Sequence, residues 1–210
     1  MISGMKTQFR KTLRRLVVPF LLCGISTGSW AFELTDLMAL LARQRAGEAR
    51  FTEQRFVRDL DAPVNASGTL SFEAPDKMVR RTVQPRAETM AVEGNTVTLI
   101  RSGRTRSMAL DSMPEVLGMV EAMRGTLTGN SATLTRYFQS TVSGTQTSWT
   151  LELQPLDARL LAQVKSVRIA GSAGVVREIE MHFSGGDRSV TTITPMAAAS
   201  AGVPPAQLAR

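Results

Sequence analysis

Residues 50–99 read RFTEQRFVRDLDAPVNASGTLSFEAPDKMVRRTVQPRAETMAVEGNTVTL, and this stretch decides the fold class. Its short runs are separated by turn-forming residues at Ala62-Pro63, Ala74-Pro75, Gln84-Pro85 and Glu93-Gly94-Asn95. Proline fixes φ and removes a hydrogen-bond donor, whereas glycine permits positive φ, so each break favours a turn. Short runs joined by tight turns predict consecutive antiparallel hairpins.

The runs also show the two-residue period of half-buried strands. Leu70 and Phe72 occupy every second position of one run, and Met90 and Val92 do the same in a later one. Because successive side chains of a strand point to opposite faces, the pattern predicts a sheet with one apolar and one wet face. At 49–60 the alternation is irregular, and one explanation is a β-bulge that curves the first strand.

Helical spacing of apolar residues predicts a first helix near 34–47. Thr35 is a candidate N-cap and Gly47 a candidate stop. The apolar stripe of this helix consists of Leu34, Leu37, Met38, Leu40 and Leu41. A stripe of this kind needs another apolar surface to cover.

A second, better punctuated helix is predicted at 112–129. Ser112-Met113-Pro114-Glu115 resembles a capping box with proline in the first turn, and Gly129 lies just past the predicted end. Its apolar face consists of Met113, Val116, Leu117, Val120, Met123 and Leu127. Short helices capped by Asn130 and Asp157 are predicted at 131–137 and 157–163.

The remaining runs bring the predicted strands to eleven, at 49–60, 66–74, 77–84, 88–93, 96–101, 104–109, 138–143, 148–154, 164–170, 175–183 and 187–194. One apolar sheet face must close, pair with another sheet or be covered by helices. We therefore predict a mainly β protein with helices, an unclosed antiparallel half-barrel of about eleven strands covered by a helical lid formed by the segments near 34–47 and 112–129. The same pattern fits a filled core and a covered cavity, so the residues alone leave both open.

The basic charge is concentrated at the N-terminus. The chain has 25 basic and 18 acidic residues, and five of the basic residues lie within 1–31, before the first acidic residue, Glu33. The rest therefore has a net charge of only about +2, which disfavours a nucleic-acid-binding protein. The cluster Arg101, Arg104 and Arg106 lacks interleaved aromatic residues and is typical of a solvated hairpin tip.

Residues 1–31 have the three parts of a secretory signal peptide. A basic segment ends at Arg15, the apolar run LVVPFLLCGI follows, and small residues at Ser29 and Ala31 precede a predicted cleavage before Phe32. The run is short for a membrane span, so a retained anchor is disfavoured. Cys23, the single cysteine, follows the bulky Leu22, which disfavours a lipoprotein signal; its removal would leave no thiol.

Few residues of the predicted mature chain are suited to catalysis. His182 is the only histidine and alternates with Glu178 and Glu180 on the polar side of a predicted strand. A catalytic triad would depend on this one residue, and the carboxylate pair lacks the aromatic platforms of glycosidases. Asp59 and Asp61 match no ion-binding loop. We therefore expect no catalytic residues, no metal site, no cofactor and no bound nucleic acid.

Three motifs in the first half of the chain resemble those of LolA-type periplasmic lipoprotein carriers. They are RFTEQR at 50–55, GTLSFEAP at 68–75 and VEGN at 92–95, which occur in the same order and at similar spacing behind a signal peptide. Strand order is similar over nearly all of the predicted mature chain. The chain resembles a divergent branch of the family, because the C-terminal half lacks clear carrier motifs.

The resemblance implies a monomeric carrier in the periplasm that binds the acyl chains of lipoproteins or another lipid. An inner-membrane transporter would be the donor, and an outer-membrane receptor the acceptor. By position, the lipid-binding residues of the sheet would be Phe51, Leu70, Phe72, Met78, Met90 and Val92. Those of the lid would be Leu37, Met38, Leu41, Met113, Leu117, Val120 and Met123.

One position departs from the family pattern. The carriers have an arginine that tethers the lid directly before the turn proline, whereas this chain has Ala74 before Pro75. Arg80 or Arg81 on the next strand could replace it. We expect a signal peptide at 1–31, a carrier domain at 32–194 and a low-complexity tail at 195–210.

Three other functions remain open from the sequence. The same half-barrel could bind a protein or a lipid signal without transporting it. An outer-membrane receptor would require Cys23 to be acylated. A hydrolase would depend on His182.

Overall fold

The structure is a computed structural model that describes residues 32–196, except for the side chains of residues 114 and 115. The helices are α1 (Leu34–Leu41), α2 (Pro114–Thr128), α3 (Ser131–Tyr137) and α4 (Ala158–Leu161), and a 3-10 turn spans Leu110–Ser112. The strands are β1 (Ala46–Phe56), β2 (Val64–Glu73), β3 (Lys77–Gln84), β4 (Glu88–Glu93), β5 (Thr96–Arg101), β6 (Arg104–Ala109), β7 (Phe138–Thr145), β8 (Ser148–Pro155), β9 (Val164–Ser172), β10 (Val175–Phe183) and β11 (Arg188–Pro195).

The strands form one antiparallel sheet in the order β6-β5-β4-β3-β2-β1-β11-β10-β9-β8-β7. The first and last strands pair at its centre, where Phe51 lies opposite Ile193. β6 and β7 are the free edges, so the sheet is unclosed. The predicted fold class, an eleven-stranded antiparallel half-barrel with helices, is confirmed.

The first helix is shorter than predicted. α1 ends at Leu41, and Gly47 lies in β1 opposite Phe72, so its prediction as a helix stop is wrong. A Cβ at residue 47 would lie 2.8 Å from the Phe72 ring, so glycine makes room for that ring. The N-cap is Glu33, which forms a capping box with Asp36, and not Thr35.

The second helix begins two residues later than predicted. Ser112 ends the 3-10 turn, and its hydroxyl donates a hydrogen bond to the Ala109 carbonyl instead of capping α2. The predicted capping box is therefore wrong. Gly129 is confirmed as the C-cap, with φ of 68°. Asn130 and Asp157 cap α3 and α4 as predicted.

The predicted bulge in the first strand is wrong. β1 pairs without a register shift with both neighbours from Ala49 to Arg55. Register shifts occur instead where Ser67 and Gly68 meet β3, and twice between β9 and β10. The irregular spacing of Phe51 and Phe56 has a simpler reason, since these two residues are five apart and lie on opposite faces of β1.

The helices cover one face of the sheet through two apolar clusters. Cluster 1 joins α1, α2, α3 and α4 to β7–β10, with Trp149 and Leu151 among its most buried side chains. Cluster 2 joins α2 and the 3-10 turn to β3, β4 and β5. α2 contributes Ala122 to cluster 1 and Val120 to cluster 2, so this helix lies between the two halves of the core.

Candidate functional site

The strand registers arrange the helix-covered face of β2–β6 in three cross-strand rows. Directly paired residues of antiparallel strands share a face, and every second residue returns to it. The inner row is Phe72, Met78, Val92, Val97 and Met108. The middle row is Leu70, Arg80, Met90, Leu99 and Arg106. The outer row is Gly68, Thr82, Glu88, Arg101 and Arg104.

α2 covers most of the inner row. Met78, Val92 and Val97 are buried against Val120, with Leu117 packed beside them. These contacts form because the apolar stripe of an amphipathic helix is most stable against the apolar face of a sheet. Six predicted residues therefore lie together in cluster 2, namely Phe72, Met78, Val92, Met113, Leu117 and Val120.

The predicted residues of α1 lie in the other cluster. Leu37, Met38 and Leu41 are each at most 3% exposed and pack in cluster 1. Their sheet partners come from the C-terminal half of the chain and are not among the residues predicted to bind lipid. They are Trp149, Leu151, Leu153, Val164, Val167 and Ile169. The alternation of the β8 residues was the signal that could have identified them.

Four candidates lie outside both clusters. Phe51 is buried in the middle of the sheet, and Leu70 is half-buried. Met90 is 39% exposed and Met123 is 37% exposed, so α1–α4 leave these two side chains accessible. Met90 nevertheless lies on the helix-covered face, in the middle row, so the apolar surface extends beyond the edge of α2.

A buried aromatic ring and an ion pair meet where the middle row approaches β1. The Arg80 guanidinium donates a 2.6 Å hydrogen bond to the Glu53 carboxylate and lies 4.2 Å from the centre of the Phe51 ring. Arg80 is 31% exposed and Glu53 is 15% exposed. Cation–π contact and charge pairing both favour this arrangement, which places a polar group at the end of the apolar inner face.

Arg124 fastens α2 to the sheet. Its Nη2 donates to the carbonyl oxygens of Asp76, at 3.2 Å, and Gly94, at 2.5 Å, while Nη1 donates to Glu121 at 2.8 Å. Asp76 and Gly94 belong to the β2–β3 and β4–β5 turns, so one side chain on the helix holds two hairpins.

The Arg124 contact bears on Ala74, the position at which the carriers have a tethering arginine. Arg80 pairs with Glu53, and Arg81 lies on the opposite face of β3, so the expectation that one of them tethers the helices is wrong. The arginine comes from α2 and contacts the carbonyl of Asp76, two residues after Ala74. The connection is therefore made at the same turn from the helix side.

His182, Glu178 and Glu180, the residues considered for catalysis, lie on the face of the sheet away from the helices, because they alternate with β10 residues that pack in cluster 1. His182 Nε2 lies 3.0 Å from Glu180, and Arg188 Nη1 lies 3.1 Å from the same carboxylate oxygen. Among the side chains described by the structure, no three from His, Cys, Asp or Glu lie close enough together to hold a metal ion. Within residues 32–196, no helix combines the length and the apolar character needed to cross a membrane.

Residues 27–210 match the family model described as outer membrane lipoprotein carrier protein LolA-like. The chain belongs to this LolA-like family. The match spans the whole described fold, including the C-terminal half in which the sequence shows no clear carrier motif. No curated protein sequence matches the chain significantly.

Solved structures with similar folds have low sequence identity to the LolA-like chain. A LolA superfamily protein from Nitrosomonas europaea is 10% identical, with a TM-score of 0.43, and the match covers 77% of this chain and 91% of that one. A DUF1329 family protein from Desulfovibrio piger is 8% identical, with a TM-score of 0.44 and coverages of 77% and 88%. Mycobacterium tuberculosis LppX, a lipoprotein, is 7% identical, with a TM-score of 0.37 and coverages of 77% and 93%. The family assignment therefore rests on the family model.

Proposed function

We propose that this LolA-like protein is an exported carrier that buries the acyl chains of lipoproteins or other lipids between the helices and the half-barrel. The observation that carries this proposal is the cover formed by α2. The helix packs its apolar residues on Met78, Val92 and Val97, and one arginine fastens it to two hairpin turns. A cover held in this way can open without breaking the eleven-stranded sheet.

The affinity for an acyl chain would come from burial alone. Each buried CH₂ group contributes about 0.8 kcal/mol, so a long chain supplies ample affinity without any covalent step. The harder task is release, because the same apolar surface must be given up. In the closed structure the helices bury the inner row themselves, so their return would compete with the lipid and favour its release.

The carrier would act in the periplasm between an inner-membrane donor and an outer-membrane acceptor, as the family resemblance implies. Residues 1–31 would be a cleaved signal peptide, 32–194 the carrier domain and 195–210 a tail. Residues 1–31, the predicted signal peptide, and residues 197–210 lie outside the described residues. The N-terminal mass of the exported protein tests this processing: a start at Phe32 supports the carrier, whereas an acylated Cys23 contradicts it and supports a receptor.

The decisive experiment is to express the full chain, purify the exported protein and measure lipid binding. Organic extraction with mass spectrometry identifies co-purified lipid, and a fluorescent fatty-acid probe gives an affinity. Met90→Gln should weaken probe binding by up to roughly tenfold, because the half-exposed Met90 lies on the helix-covered face. Ile100→Gln is the matched control, since Ile100 is similarly exposed on the opposite face of β5.

Two results would contradict the proposal. Absence of both co-purified lipid and probe binding would exclude a lipid carrier. Equal effects of Met90→Gln and Ile100→Gln would show that the probe binds elsewhere. Transfer of bound lipid to acceptor vesicles separates a carrier from a non-transporting binding module, which would hold its ligand.

A further inference from the structure

The three rows of the helix-covered face change from apolar to cationic along β3–β6. The inner row contains five apolar residues, the middle row adds Arg80 and Arg106, and the outer row adds Arg101 and Arg104. Successive rows are about 7 Å apart, because they are two residues apart along each strand. An apolar surface and a group of arginines therefore occupy one continuous face.

Among the side chains that the structure describes, acidic residues pair with two of these four arginines. Glu53 pairs with Arg80 at 2.6 Å. Glu88 lies 3.8 Å from Arg101, in a looser contact. Arg104 and Arg106 are exposed and form no ion pair with any residue whose side chain the structure describes.

The positions of Arg104 and Arg106 matter as much as their charge. Arg106 lies directly opposite Leu99, which is opposite the half-exposed Met90. Met108, 42% exposed, is two residues further along β6 in the inner row. An apolar chain lying along the inner row would thus end beside guanidinium groups, whose planar geometry suits a phosphate or a carboxylate.

We propose that the cargo is an anionic amphiphile whose phosphate or carboxylate group is held by Arg104 and Arg106 while its acyl chain lies on the inner and middle rows. This inference rests on the proposed lipid-binding function and specifies the chemical class of the ligand. A neutral acyl chain would bind through the same apolar rows but would leave both guanidinium groups to water.

The test compares binding of amphiphiles with the same tail and different head groups. Dodecyl phosphate, dodecanoate and dodecyl maltoside are titrated as monomers into the exported protein by calorimetry. Exposed ion pairs contribute little individually, so the two anions should bind roughly threefold to tenfold more tightly than the maltoside. This preference should decrease at high salt, because the charges are solvent-exposed.

Arg104→Gln/Arg106→Gln should abolish the preference without changing affinity for the maltoside. The matched control is Arg81→Gln/Arg168→Gln, which removes two exposed arginines from the opposite face and should retain the preference. A preference for dodecyl phosphate alone would identify a phosphate head group, and a preference for both anions would identify any small anion; either supports the inference.

Equal binding of charged and neutral amphiphiles, or equal loss of the preference in both double variants, would overturn the inference. Selective binding to anionic vesicles without any preference among monomers would also overturn it, in favour of a membrane-binding surface. In all of these cases the maltoside would still bind. Failure of every amphiphile to bind would instead contradict the proposed carrier function, so the two failures are distinguishable.

Discussion

Replacing Arg124 should loosen α2 without unfolding the sheet. In Arg124→Gln the charged donor to Asp76, Gly94 and Glu121 is lost. Hydrogen bonds that involve a charged group contribute about 1.5–3 kcal/mol each, but water can replace part of this because Arg124 is 15% exposed. We expect a net loss of about 2 kcal/mol, which corresponds to roughly 30-fold more opening of α2.

Hydrogen exchange of backbone amides measures this opening directly. Protection should decrease in α2 and remain unchanged in β8 and β9, which lie away from the Arg124 contacts, since local opening need not involve the whole domain. The fluorescent fatty-acid probe should also associate faster with Arg124→Gln than with the unmodified protein. Arg124→Lys should recover only part of the protection, because a lysine ammonium cannot reproduce the planar fork.

Arg136→Gln is the control, because Arg136 is an exposed arginine on the neighbouring helix α3. It should leave exchange in α2 unchanged. Unchanged protection of α2 in Arg124→Gln would refute the assigned role of this residue. An equal loss of protection in every strand would also refute it, since that result would show global destabilisation.

Three further predictions concern the packing of the core and the role of His182. Gly129→Ala should lower the free energy of unfolding, measured by thermal denaturation, by about 1–3 kcal/mol more than Gly103→Ala does. Both glycines have positive φ, but only a Cβ at residue 129 would contact α1. Trp149→Ala should lower the free energy of unfolding by about 3–5 kcal/mol and Met123→Ala by less than about 1 kcal/mol, since only Trp149 is buried. Similar losses in the two variants would contradict the placement of Trp149 in the core. His182→Gln should leave lipid binding unchanged and stability within about 0.5 kcal/mol, because this half-exposed side chain lies on the face away from the helices; a loss of function would reopen the hydrolase hypothesis.

The local pattern predicted most elements because their signals are short-range. Turns follow from proline and glycine, and alternation identifies β2, β4, β8 and β10. Caps at Asn130 and Asp157 were predictable because each side chain accepts from backbone amides within three residues. The incorrect predictions occurred where a contact with a distant residue determines the local structure. Gly47 is an example, because the Phe72 ring on the neighbouring strand leaves no room for a Cβ at this position.

The candidate site was predicted in part. Six of its residues meet in cluster 2 because an apolar stripe and an apolar strand face pack together in most arrangements. The contribution of β7–β9 to cluster 1 was missed, since the motif resemblance covered only the first half of the chain. The exposure of Met90 and Met123 could not be predicted, because it depends on where the helices end on the sheet.

The sequence of this LolA-like protein is sufficient to predict an antiparallel sheet with one apolar face and two amphipathic helical segments that cover it. It does not predict which residues become neighbours across strands and helices, because that depends on strand register and helix docking. Register brought Arg80, Met90, Leu99 and Arg106 into one row although they are spread over 27 residues. Helix docking gave Arg124 its carbonyl partners in two turns, because a side chain's hydrogen bonds depend on which distant backbone groups the packed core brings within reach.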